Sequence, residues 1–146
     1  MYEHILVPTD GSEEAAEATD YAIELAANFD AVIHSLYVVE PTSVTLPSEA
    51  MRQEEIREEY VEWGEDITAD AMANAEDHGL QSVTAVGEGP AHDEINRYAT
   101  ENDIDLVVMG TTGRSGLRER LLGSVTEKTA RISDVPVLIV RDGQRS

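Results

Sequence analysis

Apolar runs of six to nine residues alternate with longer amphipathic segments along this chain. The runs cover residues 3–9, 31–39, 81–87, 104–109 and 134–141. Near-continuous apolar runs are typical of parallel strands buried on both faces, whereas the segments between them repeat apolar residues at helical spacing. The alternation predicts a single α/β domain over residues 1–146, built as a doubly wound, five-stranded parallel sheet with helices on both faces.

The helices are predicted from capping residues and apolar stripes. Either Ser12 or Asp10 can cap the first helix. A long, acidic helix is expected over roughly 49–78, with a kink at Gly64, and Trp63 is expected in the core or against a partner. The sheet-facing residues are predicted to be Ala15, Ala18, Ala22, Leu25, Ala26 and Phe29 in the first helix, and Ile56, Tyr60, Trp63, Ile67 and Ala71 in the long one. The function of the long helix stays open.

The charge changes the picture of what the chain can bind. Thirty acidic residues against ten basic ones give a formal net charge of −20. Such a surface repels nucleic acid and anionic membranes, so neither is an expected partner. The acids are spread over every predicted helix, which favours adaptation to a salty cytoplasm where cations screen the repulsion. A merely soluble acidic surface is the simpler alternative.

The expected compartment is the cytoplasm. No apolar run approaches the roughly 20 residues of a membrane span, and the chain enters a strand directly instead of beginning with a signal peptide. There is no cysteine, which excludes disulfides and thiol chemistry.

The clearest chemical motif is a glycine loop that follows the fourth apolar run. Gly110-Thr-Thr-Gly113 is followed after nine residues by Gly123-Ser124, where a helix is predicted to begin. Glycines let a phosphate approach the backbone, and the first turn of a helix offers unpaired N–H groups. Between Gly110 and Arg131 there are five basic and two acidic residues, a local excess of positive charge. The motif therefore predicts an anion site for the phosphates of a nucleotide.

Other nucleotide chemistries are disfavoured. The loop lacks the Gly-Lys-Ser/Thr ending of a P-loop, and no Gly-x-Gly-x-x-Gly follows the first strand. No serine nucleophile elbow is present, and the four histidines show no metal-ligand spacing, so we expect them to be structural or on the surface. Asp10, at the end of the first strand, can ligate a divalent cation that bridges phosphates, or it can form a plain Asx turn; the sequence leaves both open.

Several segments together resemble the universal stress protein family. The matching segments are Ile5-Leu-Val-Pro-Thr-Asp-Gly-Ser12, Tyr37-Val-Val-Glu-Pro41, Asp103-Ile-Asp-Leu-Val-Val-Met-Gly110, the Gly-x2-Gly-x9-Gly-Ser motif and Val135-Pro-Val-Leu-Ile-Val-Arg141. The spacing of the glycines is similar to that in the ATP-binding branch. The resemblance implies an adenine nucleotide alpha hydrolase-like fold of strand order 3-2-1-4-5, ATP as the ligand, and a homodimer formed by antiparallel pairing of the last strand.

The resemblance also implies roles for single residues. Pro8, Thr9 and Asp10 would lie by adenosine, Val38 would contact adenine, and Met109 and Gly110 would lie at the ribose. The phosphates would be held by Gly113, Arg114, Ser115, Gly116, Gly123, Ser124 and Val125. A Mg²⁺ or Mn²⁺ ion would reach Asp10.

The preferred hypothesis is a cytoplasmic, dimeric, ATP-binding stress protein that uses nucleotide occupancy as a signal to an unknown protein partner. At most slow hydrolysis is expected, because no general base, arginine finger or metal cage is evident. One alternative is an interaction module of the same fold that acts without nucleotide. Another is an ATP pyrophosphatase, which is disfavoured because Asp10-Gly-Ser-Glu13 replaces the loop that such enzymes need.

Overall fold

The computed structural model describes residues 2–40, 47–111 and 122–141, which form nine helices and strands. All strand pairs are parallel, and the strand order is 3-2-1-4-5, so the predicted doubly wound sheet is confirmed. In chain order the elements are β1 His4–Pro8, α1 Glu13–Phe29, β2 Val32–Val39, α2 Pro47–Asp77, β3 Ser82–Glu88, α3 Ala91–Glu101, β4 Leu106–Gly110, α4 Ser124–Ile132 and β5 Val137–Val140.

Two apolar cores lie on opposite faces of this sheet. Successive side chains of a strand point to opposite faces, so Ile5 and Val7 of β1 join one core and Leu6 joins the other. The first core is covered by α1 and the second half of α2, the other by α3. The sheet is therefore buried on both faces, as near-continuous apolar strands require. Among the described helices, none is long and apolar enough to cross a membrane.

The first helix begins as the sequence predicts. The Ser12 hydroxyl accepts a hydrogen bond from the Ala15 backbone N–H at 3.2 Å, so Ser12 is the cap. The predicted alanines are buried and Leu25 packs against the core, but Phe29 was predicted wrongly. Its side chain is 42% exposed and lies edge-on to Tyr2, because the last helical residue already extends beyond the sheet.

Of the predicted stripe of α2, Ala71 packs against the core, but the other packed residues of the helix differ from the prediction. They are Gly64, Thr68, Met72 and Ala75, whereas Ile56, Tyr60 and Trp63 are each about 40% exposed. The structure gives a reason for glycine at position 64 other than the predicted kink. A Cβ atom at this position would lie 2.5 Å from Cδ1 of the Tyr37 ring, so only glycine lets the helix approach β2 this closely.

The last two helices each begin directly after a residue with extended backbone geometry, and α4 begins at Ser124 as predicted. Pro90 is the N-cap of α3, and Gly123 is the N-cap of α4. Ser124 is thus the first helical residue of α4 and does not cap it. Proline and glycine both fit this position because the cap residue has extended backbone geometry and needs no helical N–H bond.

Candidate functional site

A cavity of about 600 Å³ opens at the carboxyl ends of β1, β2 and β4. Because β1 is flanked by β2 on one side and β4 on the other, the winding direction reverses here, and ligands of open α/β sheets bind at such a point. Nine of the thirteen predicted site residues line the cavity. They are Pro8, Thr9, Asp10, Val38, Met109, Gly110, Gly123, Ser124 and Val125.

The other four predicted site residues, Gly113, Arg114, Ser115 and Gly116, lie outside the described residues. The two ends of their segment are nevertheless joined, since the Gly123 N–H donates to the Thr111 carbonyl at 2.7 Å. This bond brings the end of β4 and the start of α4 together at the cavity.

The end of β1 forms a tight, hydrogen-bonded turn. The Thr9 N–H donates to the Leu36 carbonyl of β2 at 2.8 Å, and the Ser12 N–H donates to Asp10 Oδ1 at 3.0 Å. Of the two interpretations of Asp10, the Asx turn is thus present, and it directs this carboxylate to the cavity wall. Cation binding by the same group stays a prediction.

The end of β4 is packed between two helices. A Cβ atom on Gly110 would lie 3.0 Å from the Glu14 carbonyl oxygen, so glycine allows the first turn of α1 to approach. The buried Thr126 hydroxyl donates to the Gly110 carbonyl at 2.9 Å and ties the first turn of α4 to the strand. Residues of that turn line the cavity, and the geometry of a helix leaves its first N–H groups without partners inside the helix.

The predicted local excess of positive charge after Gly110 falls only partly within the described residues. Of the five bases counted after Gly110, the described ones are Lys128 and Arg131, which are exposed and lie outside the cavity lining. Arg131 donates instead to Glu127 at 2.8 Å. The described lining contributes two carboxylates, Asp10 and Glu40. The negative charge of a bound polyphosphate must therefore be balanced by helix N–H groups, by a cation, or by the arginines between 113 and 121.

The sequence did not predict the other residues that line the cavity around Val38. Neighbouring residues of β2 line the cavity, together with side chains from α1, α2, α3 and α4: Ala15, Leu36, Tyr37, Val39, Glu40, Tyr60, Ala91, Ile95 and Thr126. For Leu36 a signal existed, since it alternates with Val38 on one face of the strand. For Tyr60 there was none, because its place depends on how α2 lies across the sheet.

A buried polar chain lies below the cavity, on the same face of the sheet. His4 Nδ1 lies 3.0 Å from His34 Nε2, and His34 Nδ1 lies 2.8 Å from the Tyr98 hydroxyl. Burial, aided by the nearby His4, lowers the pKa of His34 from 6.5 to about 4. Burial also raises the pKa of Tyr98. The chain holds strands β1 and β2 to α3, which agrees with the structural role predicted for these two histidines.

No metal cluster accompanies these groups in the part of the chain that the structure describes. Within residues 2–40, 47–111 and 122–141, no three histidine, aspartate or glutamate side chains converge to form a metal site. A cation at Asp10 would accordingly need further ligands from phosphate oxygens, from water or from residues outside the described ranges.

The chain is similar in sequence and in structure to known proteins. A model of the Universal stress protein family matches residues 1–141. Universal stress protein MJ0531 of Methanocaldococcus jannaschii is 39% identical over 142 residues, covering 97% of this chain and 83% of the relative. The solved structure of universal stress protein UspA from Lactobacillus plantarum superposes with a TM-score of 0.88 at 25% identity, over 96% of this chain and 98% of that one. The adenine nucleotide alpha hydrolase-like fold is thereby confirmed.

A further solved structure bears on ligands. A universal stress protein in complex with cAMP is 29% identical to this chain, with a TM-score of 0.68 over 96% of this chain and 97% of that one. That relative binds an adenine nucleotide.

Proposed function

This chain belongs to the universal stress protein family, and we propose that it is a nucleotide-regulated member that binds ATP in the cavity above β1 and β4. The observation that carries the proposal is the convergence, on one cavity at the point where the sheet winding reverses, of nine residues to which the family resemblance implies a nucleotide contact. The relative that binds cAMP supports an adenine nucleotide as the ligand class.

The proposed orientation of the nucleotide is the one that the family resemblance implies for these residues. Adenine lies against Val38 and the end of β1, where the lining is apolar, and the ribose lies by Met109 and Gly110. The phosphates point to the first turn of α4, whose N–H groups and positive dipole end favour an anion. The loop residues 113–116 complete the phosphate contacts, and Asp10 ligates a Mg²⁺ or Mn²⁺ ion held between the phosphates.

We propose that this site retains ATP and hydrolyses it slowly at most. The described cavity lining contains no lysine, arginine or histidine, so a fixed cationic side chain for phosphoryl transfer would have to come from undescribed residues. Occupancy then acts as a signal to a protein partner. Since β5 is an edge strand, we propose a homodimer in which its segment 135–141 pairs with a second copy, in a salt-rich cytoplasm that screens the charge of −20.

The test is nucleotide binding by the intact protein at high salt. Protein purified gently is denatured and its extract analysed by mass spectrometry, and calorimetry with ATP and Mg²⁺ or Mn²⁺ follows. We expect an adenine nucleotide in the extract or micromolar binding in the calorimeter. If neither is found, the proposed function is wrong.

A loop variant separates this function from a module that acts without nucleotide. Gly113→Val places a β-branched side chain where the proposed phosphate contact approaches the backbone, so ATP binding should be lost. Ala69→Val adds the same side chain at an exposed position of α2 outside the cavity lining and serves as the control. Loss of both binding and stress tolerance in cells supports regulation by ATP. Stress tolerance that persists without ATP binding supports the module.

A further inference from the structure

The first half of α2 extends past the sheet and brings one aromatic ring to the cavity. Among the α2 residues whose burial the structure describes, from 52 onward, Gly64 is the first that is buried, and most of residues 52–63 are exposed. Tyr60, one turn before Gly64, lines the cavity, although 42% of its surface remains exposed. An exposed aromatic side chain at the mouth of an apolar cavity is typical of a surface that a ligand covers.

The ring of Trp63 packs against the ring of Tyr60. The rings of Tyr60 and Trp63 lie 5.9 Å apart between centroids at an interplanar angle of 29°, an offset stack. Trp63 is the sole tryptophan of the chain and is 40% exposed. It lies outside the described cavity lining, so its role toward the cavity runs through Tyr60.

Two contacts fix this part of α2 above the cavity. On one side of Tyr60, the Gly64 backbone lies directly against the Tyr37 ring of β2. On the other side, Arg57 forms an ion pair with Glu88 at the end of β3 and a second one with Glu54 at 3.3 Å. Tyr60 is therefore held on the β2 and β3 side of the cavity.

This position is opposite to the phosphate end. β1 separates β2 from β4, and strands lie about 4.8 Å apart, so the Tyr60 wall and the α4 wall are separated by roughly 10 Å across the sheet. We infer that Tyr60 contacts the nucleotide base by stacking, with Trp63 behind it, and so adds selectivity for a purine over a pyrimidine. The inference rests on the proposed function, since it assigns a base contact within the same site.

The chemistry favours this assignment over a purely structural one. A purine offers a larger ring face than a pyrimidine, and stacking of a base on an aromatic side chain is worth about 1–3 kcal/mol on alanine substitution. Because Tyr60 is half exposed, its truncation leaves the core intact, and the folded protein remains available for binding measurements.

The experiment measures ATP and CTP affinities of the full chain at high salt for the wild type, Tyr60→Ala, Tyr60→Phe and the control Phe29→Ala. Phe29 is an equally exposed aromatic residue that contacts Tyr2 and does not line the cavity. We expect Tyr60→Ala to weaken ATP binding about tenfold and CTP binding less, while Tyr60→Phe and Phe29→Ala keep the wild-type ratio. ATP should also change the emission of Trp63 in the wild type and in Tyr60→Phe, but not in Tyr60→Ala.

The outcomes distinguish this inference from the proposed function. If wild type binds ATP and Tyr60→Ala has the same ratio of ATP to CTP affinity as wild type, the base contact is refuted and the proposed function stands. If wild type binds no ATP, both are refuted.

Discussion

Acidification should destabilise this fold through His34, a single buried histidine on β2. Only 4% of His34 is exposed, and both ring nitrogens face partners, His4 on one side and the Tyr98 hydroxyl on the other. Burial disfavours the imidazolium, and a charge on His4 opposes it further, so the pKa of His34 falls from 6.5 to about 4. Between these two values the unfolded chain binds more protons at this site than the folded protein does.

The sign and size of the effect follow from this difference. Stability from His34 is fully present above pH 6.5 and is lost as the pH falls toward 4, where the folded protein also takes up the proton. A tenfold difference in proton affinity is worth about 1.4 kcal/mol, so the free energy of unfolding should fall by about 2 kcal/mol from about pH 8 to about pH 5.

The assay is urea unfolding at high salt, followed by circular dichroism, for the wild type and His34→Gln. Both proteins carry the same 30 acidic residues, so the difference between their free energies of unfolding isolates the histidine. We expect that difference to change by about 2 kcal/mol across the range, since only the wild type loses stability through this site. A difference that stays constant from pH 8 to pH 5 would refute the reasoning.

A companion variant identifies the cause. Tyr98→Phe removes the hydroxyl beside His34 but keeps the ring buried in place, so stability should drop by about 1 kcal/mol at every pH. The pH dependence should persist, because burial is the largest cause of the lowered pKa of His34. If Tyr98→Phe abolished the pH dependence, the hydrogen bond rather than burial would control this titration.

Three further predictions concern packing and charge. Gly64→Val should lower stability by about 1–3 kcal/mol in urea unfolding because its Cβ meets the Tyr37 ring, whereas Val at the exposed Ala69 should change it little. Thr126→Val should cost about 1–3 kcal/mol by leaving the Gly110 carbonyl without its buried donor, and Thr126→Ser should restore most of that stability. Dilution from molar to about 0.1 M salt should lower the melting temperature, because weaker screening exposes the repulsion of 20 excess negative charges; an unchanged melting temperature would contradict the halophilic assignment.

Much of the candidate site could be predicted from the sequence, because its residues lie at the ends of predicted strands. Parallel strands end at a common edge, so Pro8, Thr9 and Asp10 after one buried run and Met109 and Gly110 at the end of another had to be close if these strands are neighbours. The strand order itself came from the family resemblance. Alternation along a strand does not specify which strand lies beside it.

The long helix shows where sequence patterns fail. Ile56, Tyr60 and Trp63 have helical spacing and the largest apolar side chains of their segment, so they formed the predicted stripe. The structure buries Gly64 instead, since the Tyr37 ring occupies the space that a side chain would fill. Hydrophobic periodicity indicates which residues share a face of the helix, but it does not indicate which part of that face packs against the sheet.

By itself the sequence determined the elements and their alternation, and it limited the cap of the first helix to Ser12 or Asp10, because these features depend on residues near one another along the chain. Only the tertiary structure decided that Tyr60 reaches the cavity and that His4, His34 and Tyr98 form one buried chain. His34 and Tyr98 are 64 residues apart, and their contact depends on how a strand and a helix pack. Packing against distant segments, which no local pattern encodes, determined the burial that lowers the pKa of His34. The same packing determined that Tyr60 forms part of the cavity wall.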